Sequence, residues 1–156
     1  MVVSNWQSKI RGRVRNHPSY QGLQNWPGRE TSDIVYNDTD GVLTHLLVDR
    51  GYFSSPAWIG KRPKYYIEVK ATTSFWGARF FVTQNQFELM EDTILPEQGT
   101  ADAVYLIARV FNLGLAGMGL KLYIDPANLK RKGELVFRSD QYQVTPGFLF
   151  GPRAVA

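Results

Sequence analysis

Residues Ala103–Phe111 (Ala-Val-Tyr-Leu-Ile-Ala-Arg-Val-Phe) are the most apolar run in the chain. Such a run does not alternate apolar with polar positions, so it reads as a strand buried on both faces, which requires packed elements on either side of its sheet. Gly114, Gly117 and Gly119 separate it from residues 120–124, and the two strands are expected to pair as a hairpin. The glycines precede a strand, whereas a phosphate loop needs a helix N-terminus, so that motif is excluded. With 156 residues and 44% hydrophobic content, one domain with a substantial core is expected.

The flanking segments supply the rest of the order. Ser4 with Gln7 in capping-box spacing, and Trp6, Ile10 and Val14 at helical intervals, predict a basic N-terminal helix that Pro18 ends. An irregular Pro/Gly-bearing connector through Trp26-Pro27-Gly28 follows, so residues 1–28 form one organisational unit. Residues 31–36 predict a strand, in which Asp33 is an odd residue and is either an edge position or a placed ligand. Asn37, Asp38, Asp40 and Gly41 provide turn chemistry and lack the terminal glutamate of a calcium loop. A short helix is expected over residues 42–50, with Val42, Leu43, Leu46 and Leu47 on one side and Gly51 as its stop, followed by a surface loop to Pro63.

Beyond the central strand, residues 79–82 read as strand-like, and Thr83 with Gln86 predicts a capped helix through Met90. Asp125-Pro126 opens a last short helix that Gly133 terminates, residues 134–137 predict an edge strand, and residues 141–156 read as an irregular tail. The main unit therefore spans residues 29–140.

The central strand carries the chemistry. In Tyr65-Tyr66-Ile67-Glu68-Val69-Lys70, alternation places Tyr66, Glu68 and Lys70 on one side and Tyr65, Ile67 and Val69 on the core side. An exposed strand can carry such a carboxylate and ammonium as a weak pair on its wet face, so these six residues alone leave both a bland and a catalytic reading open. A carboxylate on a neighbouring strand changes the balance. Asp33 and Glu68 converging on one divalent cation would form a hard oxygen site suited to magnesium or manganese, with Lys70 placed to orient a water.

Other chemistries are excluded or narrowed. There is no cysteine, which removes disulfides, thiolate zinc sites and thiol nucleophiles, and His17 and His45 have no ligand-like spacing. The formal charge of +4 comes from the first 30 residues, where Lys9, Arg11, Arg13, Arg15 and Arg29 face Glu30 alone. Such an excess suits contact with a phosphate backbone and is equally compatible with a solvated basic face. The sequence shows neither a signal-peptide core nor a membrane-length apolar stretch, so an intracellular protein is expected, cytoplasmic or nuclear.

Together, Ser32-Asp33-Ile34, residues 65–73 with Glu68-Val69-Lys70, Phe80-Phe81-Val82-Thr83-Gln84-Asn85-Gln86, the strand from Val104 to Phe111 and Ile124-Asp125-Pro126 resemble the PD-(D/E)XK nuclease-like superfamily. The resemblance covers roughly residues 29–126 and is to the NO VEIN C-terminal domain family, in a fungal-type member. It implies an α/β (α+β) fold: a single restriction-endonuclease-like domain with a central mixed β-sheet flanked by helices. It also implies Asp33, Glu68 and the Val69 backbone carbonyl as ligands of Mg2+ or Mn2+, and Lys70 as the water-activating residue. Gln86, Thr72 and Glu30 are accessory candidates, Gln86 being equally a plain helix cap.

Members of the superfamily commonly add an acidic residue from a helix ahead of the first strand, yet residues 1–28 contain none. Either the chain is truncated relative to the full domain, which is the expectation here, with other domains of a longer parent protein as partners, or its metal site is thinner than usual. The function implied is metal-dependent hydrolysis of nucleic-acid phosphodiester bonds, with Lys9, Arg11, Arg13 and Arg15 as weak backbone contacts. The alternative is a catalytically inactive nucleic-acid or protein-binding module of the same fold, in which some of Trp6, Trp26, Trp58 and Trp76 stack on bases, Trp26 reading rather as a core plug under a loop.

Overall fold

The computed structural model describes residues 6–8, 18 and 31–138. Its centre is one mixed sheet whose strands follow chain order: β1 (Trp6–Ser8), β2 (Ile34–Asn37), β3 (Lys64–Ala71), β4 (Ala103–Phe111) and β5 (Gly119–Ile124). The β3–β4 pair is parallel and the other three pairs are antiparallel. Among the described residues three helices accompany it: α1 (Val42–Asp49), α2 (Gln84–Asp92) and α3 (Pro126–Arg131), with a 3-10 turn at Pro56–Trp58. A parallel pair needs a long crossover, and α2 lies in the one joining β3 to β4. This is an α+β domain.

Both sheet faces are covered, as the unbroken apolar pattern of β4 requires. On one face Tyr65, Val104 and Leu106 pack with Leu47 of α1 and with Phe53 and Trp58. On the other, Tyr105 and Ile107 pack with Met90 of α2 and Ala127 of α3. In β3 Tyr65 and Ile67 face the core as expected, but Val69, expected beside them, is exposed, and the face carrying Tyr66 and Glu68 is not wet, since Glu68 is buried beneath the second cluster's side of the sheet.

The caps explain where the helices begin. Thr83 Oγ1 accepts from the Gln86 N–H and Gln86 Oε1 accepts from the Thr83 N–H, a reciprocal capping box. Asp125 accepts from Asn128 N–H ahead of Pro126, and Gly133 closes α3 at φ 76°. Before α1, fully buried Asp38 accepts from the N–H groups of Leu43 and Thr44 and from the Thr44 hydroxyl, which also bonds Tyr65 Oη at 2.8 Å.

Five expectations are corrected. Trp6–Ser8 is a strand where helical spacing predicted a helix: its backbone fills the open edge of β2, and tertiary pairing overrides the local pattern. The remainder of that helix lies outside the described residues, as does the tail at 141–156. The β2 strand starts at Ile34 because the Asp33 carboxylate, not a ladder carbonyl, takes the facing Val69 N–H. In α1 Leu43 and Leu47 pack on the core as expected, joined by Thr44 and Val48, while Val42 and Leu46 are exposed; the Asp38 and Tyr65 bonds to Thr44 set the helix rotation. Residues 79–82 form no strand, because β3 already has β2 and β4 as neighbours and the Ala78 carbonyl bonds Arg109 instead. Residues 134–137 form no edge strand either: Glu134 and Leu135 N–H both return to the Leu129 carbonyl, and Phe137 packs on Phe87.

Candidate functional site

Because β3 and β4 run parallel in register, Tyr66, Glu68 and Lys70 stand beside Tyr105, Ile107 and Arg109 on one face of the sheet. Extending the antiparallel β2–β3 register by one residue sets Asp33 across from Glu68. The strands thus bring Asp33, Glu68 and Lys70 to one place.

Lys70 Nζ lies 2.7 Å from Glu68 Oε1, with the two side chains only 19% and 3% exposed. A pair so dehydrated is unlike a surface pair: removing either partner strands a charge in low dielectric. The second Glu68 oxygen, Oε2, is buried with no hydrogen-bond partner among the described residues. Asp33 Oδ2 accepts from the Val69 N–H at 2.9 Å, which ties the carboxylate to the middle of the Glu68-Val69-Lys70 segment. Val69 itself has an exposed side chain.

Tyr105 reports on both carboxylates. Its hydroxyl donates to the Thr31 carbonyl at 2.9 Å. Burial, then the charges of Glu68 and Asp33, push its phenol far above the ordinary tyrosine range. Both acids therefore lie within electrostatic reach of one buried ring.

Arg109 was not singled out from the sequence, although a lone arginine inside the most apolar run was the available signal. It is 2% exposed and donates from Nη1 to the Lys70 carbonyl at 3.3 Å and from Nη2 to the Ala78 carbonyl at 3.0 Å, with its guanidinium 5.2 Å from the centre of the Phe80 ring. It fastens the end of β3 to the connector leading to α2. Lys70, Arg109, Arg79 and Phe81 contribute to a cleft of about 350 Å³ at the end of β3.

The accessory candidates separate. Gln86 is buried and its Oε1 is committed to the capping box, which is the plain role. Thr72 lines the cleft, and its Oγ1 accepts from Ser74 N–H. Glu30, Lys9, Arg11, Arg13, Arg15 and Trp26 lie outside the described residues. Trp58 is buried and stacked on Phe53 at 4.2 Å, so it is not a base platform, whereas Trp76 is half exposed.

As a cation site the donor set is two carboxylates, and the partnerless Glu68 Oε2 is the kind of hard oxygen a divalent cation satisfies. Among the described residues no three His, Asp or Glu side chains gather as a metal-ligand group. No helix of the described residues is long and apolar enough to cross a membrane. No protein-family model, curated protein or solved structure matches the chain.

Proposed function

We propose that this domain is of the PD-(D/E)XK nuclease type and hydrolyses phosphodiester bonds of nucleic acid with Mg2+ or Mn2+. The observation that supports this most is the buried Glu68–Lys70 pair, with one carboxylate oxygen held by the ammonium and the other left over, on a strand position across from Asp33 and next to Lys70, which lines a cationic cleft. Asp33, Glu68 Oε2 and the Val69 carbonyl are the groups that would hold the cation. When bound, the metal supplies charge to a phosphoryl oxygen and acidity to a coordinated water. Lys70, fixed through Glu68 Oε1, orients the attacking water and offsets negative charge as a P–O ester bond breaks. Arg109 acts through the Lys70 backbone and is a positioning residue.

The test is incubation of the purified chain with labelled DNA or RNA and either metal. Cleavage is expected and should be lost in Glu68→Gln and Lys70→Ala; equal activity in wild type and both variants overturns the proposal. A second reading, a binding module that does not cut, draws on the two-carboxylate donor set. Calorimetric titration separates them, because that reading expects no Mg2+ or Mn2+ binding dependent on Asp33.

A further inference from the structure

The strand registers place Lys70 beside Arg109, and Arg109 beside Lys121, a row of three cations across β3, β4 and β5 on the face that carries Glu68. Like charges on adjacent strands repel, so such a row needs a reason. Among the described residues only Lys70 has an acidic partner; Arg109 rests on carbonyls and Phe80, and Lys121 Nζ sits 3.8 Å over the Trp76 ring. The sequence adds no acid nearby: residues 69–87 and 103–124 contain neither Asp nor Glu.

The connector between β3 and α2, which lines the cleft at Arg79, Phe80 and Phe81, exposes aromatic rings. Phe81, which lines the cleft, is 83% exposed, and Phe75 and Trp76 are about half exposed or more. Exposed rings next to cations that outnumber their acidic partners suit a polyanion whose bases are free to stack. A duplex keeps its bases stacked internally and offers such rings only its backbone, while a single strand offers both phosphates and π-faces. Access points the same way. Lys70 and Glu68 are nearly buried, so a phosphodiester must enter the cleft to reach them, which a flexible strand does more readily than a rigid duplex.

We infer that the ligand of this cleft is single-stranded nucleic acid, its phosphates on Lys70, Lys121 and the exposed Arg79, with Arg109 buried on its carbonyls adding only positive potential beneath them, and its bases on Phe81 and Trp76. The inference rests on the nucleic-acid reading above and specifies its substrate class. The experiment is fluorescence anisotropy in EDTA, with labelled oligo(dT), oligo(U) and a mixed-sequence duplex of about 12 nucleotides, within the site sizes usual for stacking platforms. Expected is tighter binding of at least one single strand than of the duplex, weakened about tenfold by Phe81→Ala. Arg79→Gln should flatten the salt dependence by roughly one phosphate contact.

Both substituted side chains are exposed, so circular dichroism should show an unchanged fold. Duplex binding as tight as single-strand binding, indifference to Phe81→Ala, or no binding of any oligonucleotide overturns the inference. Parallel assays with Mg2+ keep the two claims apart: single strands bound but uncut would sink the cleavage proposal alone, and preferential binding and cutting of duplex would sink this inference alone.

Discussion

The Val69 N–H donates to the Asp33 carboxylate at 2.9 Å, joining the residue that precedes β2 to the centre of the Glu68-Val69-Lys70 segment. An acceptor is all this bond requires. Asp33→Asn retains one and should unfold within about 1 kcal/mol of wild type, whereas Asp33→Ala strands the N–H and should cost about 1–3 kcal/mol. Urea denaturation measures both. If Asp33 is a metal ligand, Asn should also weaken Mn2+ binding in calorimetry while the fold survives, which separates its structural and chemical roles.

The Glu68–Lys70 pair makes a sharper stability prediction. Lys70→Met leaves the carboxylate buried without its cation and should lower stability by about 3–5 kcal/mol. Adding Glu68→Gln removes the stranded charge and should recover much of that loss. A single Lys70→Met variant as stable as wild type would show that the carboxylate is better hydrated than its 3% exposure states.

Asp38 is expected to be among the costliest acidic residues to replace. Its carboxylate accepts from Leu43 N–H, Thr44 N–H and the Thr44 hydroxyl at 3.1, 2.7 and 2.7 Å. Asp38→Ala should cost about 2 kcal/mol or more, the upper range for loss of a helix-capping group. The thermal unfolding midpoint is the readout.

Alkaline pH should destabilise the fold through Tyr65, whose phenol is pushed up to about 12, chiefly by burial and partly opposed by its bond to Thr44. The folded state thus holds its proton where the unfolded chain, at about 10, has released it. Stability is intact below about pH 10 and declines as pH rises through about 12, because the unfolded state binds fewer protons there. Tyr105 shifts the same way and prolongs the decline. Tyr65→Phe should flatten the first part of the curve in urea titrations at stepped pH.

Much of this architecture was legible in residue patterns because the signals were local. The Thr83/Gln86 box, Asp125-Pro126 and the apolar run of β4 each specify their element within a few residues, and the structure has all three. What could not be read depended on partners distant in sequence. The strand at Trp6–Ser8 exists through its pairing with β2, and Thr44 turns inward through Asp38 and Tyr65. At the site, Asp33, Glu68 and Lys70 were picked out, but the burial of Glu68 was not, since it comes from the cover over the far face of β3. Arg109 was missed for a related reason: its value lies in two carbonyls that only the folded connector presents.

The parallel pairing of β3 with β4 also has a consequence in time. Local hairpins such as β4–β5 close early, whereas strands joined by a long crossover meet only after an unfavourable loop closure. Until β4 docks, the Glu68 carboxylate keeps its water. Its dehydration is thus expected to coincide with the slow phase of folding, so a chain arrested before that phase would already have its helices and hairpin yet hold an ordinary hydrated glutamate at position 68.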